Sequence, residues 1–250
     1  MTDSSPKPGS AATQALHAAA RAALPFEDTE DFALAARGLI EAVPELDVAN
    51  DAGRSVWDLQ AYAFLQGDCP DTVHPSLWRN AQLNMRVGLY EVVAGVYQAR
   101  GFDISNMSFV ETDAGVVVID PLISIETARA ALALYRKHRG PRAVVAVMYT
   151  HSHVDHFGGV RGVVDEADVL AGRVAVLAPD GFLEHAVSEN LFAGPAMVRR
   201  AGYMYGALLP RGPRGQIDAG IGKGTSGGTL SLIAPTEIRS ARRRSCAPRR

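Results

Sequence analysis

At 250 residues, 47% of them apolar, the chain is long enough for one large α/β domain or two small ones and can build a real core. A net charge of −2 offers no basic field for nucleic acid or an anionic membrane surface, and two cysteines, Cys69 and Cys246, exclude a disulfide framework or a cysteine-built zinc site. No stretch reaches the roughly 18 consecutive apolar residues of a membrane span, and Gln14, His17 and Arg21 interrupt any leader peptide, so the default expectation is a cytoplasmic protein, with the periplasm or secretion left open.

Residues 1–25 read as a flexible and then helical lead-in: MTDSSPKPGSAA is small and polar, and Thr13 to Leu24 is alanine-rich with good helix propensity. Residues 27–75 mix short helical patterns with turn residues and carry no chemical signature. Asn80 to Tyr97 reads as helix or strand, because β-branched residues compete with helical spacing. Asn106 to Glu111 and Val116 to Asp120 form a predicted hairpin around Thr112-Asp113-Ala114-Gly115, stopped by Pro121. Ile125 to His138 has helical spacing, cations in its last turn and Gly140-Pro141 as a stop.

Ala143 to Tyr149 is a buried-type strand, Phe157 to Leu170 is predicted helical, and Val174 to Ala178 is another buried strand. This β-β-α-β-α-β order predicts an α/β layered domain with helices packed on a sheet. Further on, Phe182 to Phe192 is predicted helical, Pro210 to Gly228 is rich in glycine and turn residues, and Thr229 to Ala234 is one more predicted strand. The last twelve residues, RSARRRSCAPRR, hold six arginines and no acid, an abrupt change of character.

The chemistry concentrates in VVAVMYTHSHVDHFGGVRGVV, Val144 to Val164, where three histidines and an aspartate follow an apolar run. Where an extended strand runs into a loop, side chains two apart point the same way, so His151 and His153 can face one metal ion. The turn that follows can carry Asp155 and His156 to a second, and zinc suits imidazole nitrogen with carboxylate oxygen. The bland alternative is a set of exposed or hydrogen-bonded loop histidines, the reading given to His17, His74 and His138. His185 lies four residues from Glu189 on a predicted helix, a spacing compatible with metal but commoner in surface pairs.

An H-x-H-x-D-H motif after a buried strand resembles the metallo-β-lactamase fold hydrolases, and GVVVIDPL looks like the strand of that fold that ends in an aspartate. With FDISNMSFVETDAGVVVIDPL, YTHSHVDHFGGVRGVVDEADVLAG, GFLEHAVSEN and RRAGYMYGALLPRGPRGQ the likeness narrows to the alkyl sulfatase branch, over about residues 26–238. The resemblance implies an αββα sandwich, present in its N-terminal part with an incomplete second sheet. It implies two zinc ions, the first held by His151 and His153 and the second by Asp155 and His156. Asp155 would also orient the attacking water. Asp120 would hold a ligand histidine by its other nitrogen, or serve as a plain strand-end turn residue. The implied substrate is a linear alkyl sulfate such as dodecyl sulfate.

Further ligands of the family, and the region through which its members dimerise, are expected downstream of any segment present here. Residues 239–250 are therefore expected to be an unrelated, frameshifted tail on a truncated and impaired enzyme. A non-catalytic remnant, or a related hydrolase acting on a thioester or lactone, is the alternative.

Three other features compete. Gly224-Thr225-Ser226-Gly227-Gly228 matches a serine nucleophile elbow, but a strand-like run follows where a helix is needed, and no histidine comes after the serine. Gly222 to Gly227 matches G-x-G-x-x-G, again without the helix that would receive a pyrophosphate. The plain expectation is a surface loop, with the lining of a substrate entrance as the weaker one. Arg199, Arg200, Tyr203 and Tyr205 could meet an oxyanion or an alkyl chain, but arginines near a helix end are more often solvated, and they are left out of the site.

Overall fold

Residues 7–239 are described by a computed structural model; the first six residues and the arginine-rich tail beyond Arg239 lie outside them. Helices α1 (Ala11–Ala23) and α2 (Glu30–Ala36) lead into β1 (Leu39–Ala42), a small hairpin of β2 (Asp47–Ala49) and β3 (Ser55–Asp58), and α3 (Pro75–Leu83). Then come β4 (Gly88–Val93), β5 (Val96–Arg100), β6 (Met107–Thr112), β7 (Gly115–Ile119), α4 (Ile125–Arg139) and β8 (Val144–Met148). The chain continues through α5 (Glu166–Leu170), β9 (Ala175–Pro179), α6 (Phe182–Ser188), α7 (Gly194–Met204) and β10 (Glu237–Arg239).

Apart from the β2–β3 pair, these strands form one eight-stranded sheet in the order β1-β4-β5-β6-β7-β8-β9-β10. It is antiparallel from β1 to β7 and parallel from β7 to β10. The change of sense occurs where α4 crosses from β7 to β8, and that crossover sends the chain out of both strands at one edge of the sheet. Helix α4 is set by its ends: Ser124 caps its first turn, and Gly140 closes it at φ 81°. Its inner face buries Ala128, Ala131, Leu132 and Tyr135, with Tyr135 stacked on Phe109 of β6 at 4.3 Å between ring centroids.

Two predicted elements are corrected. Phe157 to Leu170 is a pair of single turns, Val160–Gly162 and the short α5, and not one helix. A Cβ on Gly158 would overlap the Ile123 carbonyl oxygen, one on Gly159 that of Pro121, and one on Gly162 that of Ile125. This segment is pressed backbone to backbone against the start of α4, a non-local contact that overrides its helical spacing. Thr229 to Ala234 is extended but joins no sheet. Its polar groups bond to the Ile125 amide (2.9 Å), to the Glu126 carboxylate (2.8 Å) and to the Gly158 carbonyl (2.7 Å), so it straps α4 to the loop after β8.

A buried carboxylate fastens the same region from below. Asp103 accepts hydrogen bonds from the Ile104 and Ser226 amides (2.9 and 3.0 Å) and from the hydroxyls of Ser226 and Thr127 (2.6 and 3.1 Å). Burial pushes its carboxyl up from the ordinary 3.8 to about 6, against those hydrogen bonds. The folded value thus lies above the unfolded one. Its contribution favours folding below about pH 4 and is lost as pH rises to about 6, a loss of about 3 kcal/mol. Denaturant titrations across that range should show a falling contribution in the wild type that disappears in Asp103→Asn. A pH-independent difference between the two would refute it.

Candidate metal centre

The site forms where β7 and β8 end side by side. At the end of β7 the backbone turns through two left-handed residues, Asp120 (φ 55°) and Leu122 (φ 60°), on either side of Pro121. Aspartate tolerates that region and leucine does not, so the turn stores roughly 1–3 kcal/mol of strain. Burial of Leu122 holds it, with its amide donating to the Asp120 carbonyl (2.8 Å) and its carbonyl accepting from Gly159 (3.0 Å).

That turn aims the Asp120 carboxylate under the loop after β8. Oδ1 accepts from the Thr150 amide (2.8 Å), and Oδ2 accepts from the Thr150 hydroxyl (2.7 Å) and lies 2.9 Å from His156 Nδ1. The loop runs through His151 and His153 to a single helical turn, Val154–His156, and Ser105 donates to the Asp155 carbonyl from beneath. The His151 ring lies 4.6 Å from that of His153 and 4.1 Å from that of His156, centroid to centroid. Asp155 Oδ2 is 3.3 Å from His156 Nε2. His156 thus sits between two carboxylates.

The electrostatics follow from that packing. Burial works to lower the His156 imidazole, but the carboxylates of Asp120 and Asp155 outweigh it and raise the group to about 9. Burial, and then the neighbouring imidazoles of His156 and His153, hold His151 below its ordinary value. Burial also tends to raise Asp155, yet its pairing with His156 holds that carboxyl below the usual range.

A metal ion in this cluster would find suitable chemistry: three imidazoles ring to ring, with His156 flanked by two carboxylates, one of which holds it from behind at Nδ1. Among the described residues, however, no three histidine, cysteine, aspartate or glutamate side chains converge on one point that could hold an ion. The other histidines stand elsewhere. His74 caps α3 through Nδ1, His138 pairs with Glu41 at 2.5 Å, and His17 lies against the Asp71 carbonyl. Glu189 faces His153, with Oε1 3.5 Å from Nε2.

Beside the cluster opens a groove of about 540 Å³ whose lining includes His153, Asp155 and Arg200 together with Ile123, Met197 and Met204. Tyr205 lines it as well, whereas Tyr203 is 86% exposed. Sequence reasoning left Arg200 and Tyr205 aside; both line the groove from α7 and its C-cap, and the π-helical turn Glu189–Ala193 joins α6 to α7. Such turns concentrate at functional sites, but the sequence carries no local sign of one. A second cavity of about 480 Å³ between α2 and α3 touches none of the histidines.

The competing motifs find structural uses. Ser226 donates to Asp103 and lies 2.8 Å from Ser124 Oγ, and among the described residues no helix follows it. Lys223 is 2% exposed and pairs with Asp218 at 2.8 Å, so its ammonium is not presented to a phosphate. Among the described residues no helix is long and apolar enough to cross a membrane.

Comparison with known proteins agrees with this geometry. The model of the metallo-beta-lactamase superfamily matches residues 100–236. The chain is 55% identical over 234 residues to a linear primary-alkylsulfatase of a Pseudomonas species, covering 93% of this chain and 35% of that protein. It is 48% identical over 216 residues to an alkyl/aryl-sulfatase of Saccharomyces cerevisiae, covering 86% and 33%. Among solved structures it is similar to the stereoselective inverting sec-alkylsulfatase Pisa1 from Pseudomonas sp., with a TM-score of 0.89 and 52% identity over 94% of this chain and 37% of that one. The chain thus spans about a third of the length of the relatives it matches.

Proposed function

The chain belongs to the metallo-beta-lactamase superfamily, and from that premise we propose that it serves the metal-dependent hydrolysis of linear alkyl sulfate esters. The observation that carries this reading is the groove, whose lining combines His153, Asp155 and Arg200 with the apolar side chains of Ile123, Met197 and Met204. A sulfate ester has a hydrophilic anionic head and an apolar tail, and the groove offers a surface for each. Names alone would not distinguish this from other ester hydrolysis, but similarity to alkylsulfatases over 93% of the chain supports it.

In this reading His151 and His153 hold one zinc ion, and Asp155 and His156 a second. Bound zinc would supply a water that ionises near neutral pH and positive charge to offset the departing sulfate. Asp120 holds His156 through Nδ1 and leaves Nε2 turned toward Asp155. Asp155, favoured in its ionised form, accepts a hydrogen bond from the attacking water and orients it. The Arg200 guanidinium suits the sulfate oxygens, and the apolar wall excludes water from the tail. One water is consumed, and one alcohol and one hydrogen sulfate are released.

The four ligands proposed among the described residues give each ion two protein donors, below the three of a typical catalytic zinc site. We therefore expect weak zinc retention and low turnover from this chain. The test is sulfate release from decyl sulfate below its micelle concentration, with and without added zinc. Release that needs excess zinc and stops on chelation is the expected result. Release unaffected by exhaustive chelation would refute the metal assignment, and a zinc-loaded chain that releases none would favour a non-catalytic module.

A further inference from the structure

Loop residues 218–226 are pinned by two buried carboxylates, and between the pins two side chains project into the groove. At one end Lys223 Nζ donates to Asp218 Oδ2 (2.8 Å) and to the Ala81 carbonyl in α3 (2.5 Å). Asp218 also receives the Asn84 side-chain amide (3.1 Å) and the Gly220 backbone amide (2.7 Å), and the Lys223 carbonyl accepts from Tyr62 and Gln216 (3.1 and 2.9 Å). At the other end Ser226 is fixed to Asp103. Ile221 and Thr225, between these anchors, line the groove beside Met197 and Val198 of α7. Ile221 remains 69% exposed there, and Val198 72%.

An ion pair taken out of water contributes little net stability, whereas losing one partner strands a buried charge. Its effect is geometric: it admits one arrangement of the loop and makes others costly. We propose that the Lys223–Asp218 pair is a positioning device for the groove, holding Ile221 and Thr225 as a wall that contacts the apolar chain of a ligand. This rests on the reading of the groove given above. The loop reaches α3 through the Lys223 side chain, while the backbone at Gly222 packs against Ile104, whose carbonyl oxygen would lie 3.2 Å from an added Cβ. A loop freed from this pair would still form the cluster of histidines, because none of its anchoring contacts is to His151, His153 or His156.

The experiment is calorimetric titration of the full chain with two non-hydrolysable probes, decanesulfonate and butanesulfonate, so that turnover is not needed. Lys223→Met combined with Asp218→Leu removes both charges together. Affinity for decanesulfonate should fall roughly tenfold, the loss expected when one aliphatic side chain no longer covers the ligand, while that for butanesulfonate stays within about twofold. Ile221→Ala leaves the ion pair intact and should give the same selective loss, so the test survives if the double variant fails to fold. Equal losses for both probes, or no loss for decanesulfonate in Ile221→Ala, would overturn the proposal. A wild-type chain that binds both probes equally, or neither, would overturn the alkyl reading of the groove and this inference with it.

Discussion

Gly159→Ala is expected to lower the melting temperature by roughly 10 °C. The added Cβ would overlap the Pro121 carbonyl oxygen and would lie 2.5 Å from the Ser124 carbonyl oxygen and 2.7 Å from the Ala128 Cβ. None of these is the far end of a flexible side chain. Two are backbone atoms of the turn before α4, and the third belongs to a buried residue of α4, so relief requires moving a segment anchored to the sheet. Overpacking of this kind costs about 3 kcal/mol. Because Gly159 also donates to the Leu122 carbonyl, the same displacement would loosen the left-handed turn that aims Asp120. The ligand loop should lose order together with stability, visible as faster amide exchange at residues 151–156. An unchanged melting temperature would mean that the loop and α4 are not in contact in solution.

Asp120→Ala should weaken zinc binding by about 10- to 100-fold, the range seen when a carboxylate behind a ligand imidazole is removed. One side chain would be lost from three partners at once: the Thr150 amide, the Thr150 hydroxyl and His156 Nδ1. Alanine also fits poorly at φ 55°, whereas asparagine is among the residues that tolerate it. Asp120→Asn should therefore fold like the wild type while still losing affinity, because a neutral amide holds an imidazole less firmly than a carboxylate does. Competition against a chromophoric zinc chelator reads both variants. Wild-type affinity in Asp120→Asn would mean that the charge behind His156 is unimportant, and wild-type affinity in Asp120→Ala would remove Asp120 from the site altogether.

Much of the sheet can be read from local signals. The β6–β7 hairpin is announced by Thr112 to Gly115, and α4 by a serine cap and a terminal glycine, because each depends on neighbours in sequence. Asn80 to Tyr97 is ambiguous because it spans the end of α3, all of β4 and the start of β5. α3 ends at Leu83 and β4 starts at Gly88, so a single periodicity fitted neither.

The four residues of H-x-H-x-D-H and the aspartate closing β7 stand out as candidates in the sequence, since the chemistry of a metal ligand restricts residue type and spacing. Their relation was not. That Asp120 meets His156, that His151 lies nearer His156 than His153 between ring centroids, and that Glu189 faces His153 are matters of tertiary packing.

The groove was the least legible part. Met197 and Arg200 reach it from α7, which a π-helical turn joins to α6, and Ile221 from the loop that the buried Lys223–Asp218 pair closes. Spacing and turn chemistry thus carried the α/β layering and the candidate metal cluster, since both act over a few residues, and the family came from the resemblance of H-x-H-x-D-H and its companion segments. Packing between distant segments decided whether Phe157 to Leu170 could be a helix, where Thr229 to Ala234 finds its hydrogen bonds, and which side chains wall the groove. For the first two, the steric and polar partners lie tens of residues away along the chain.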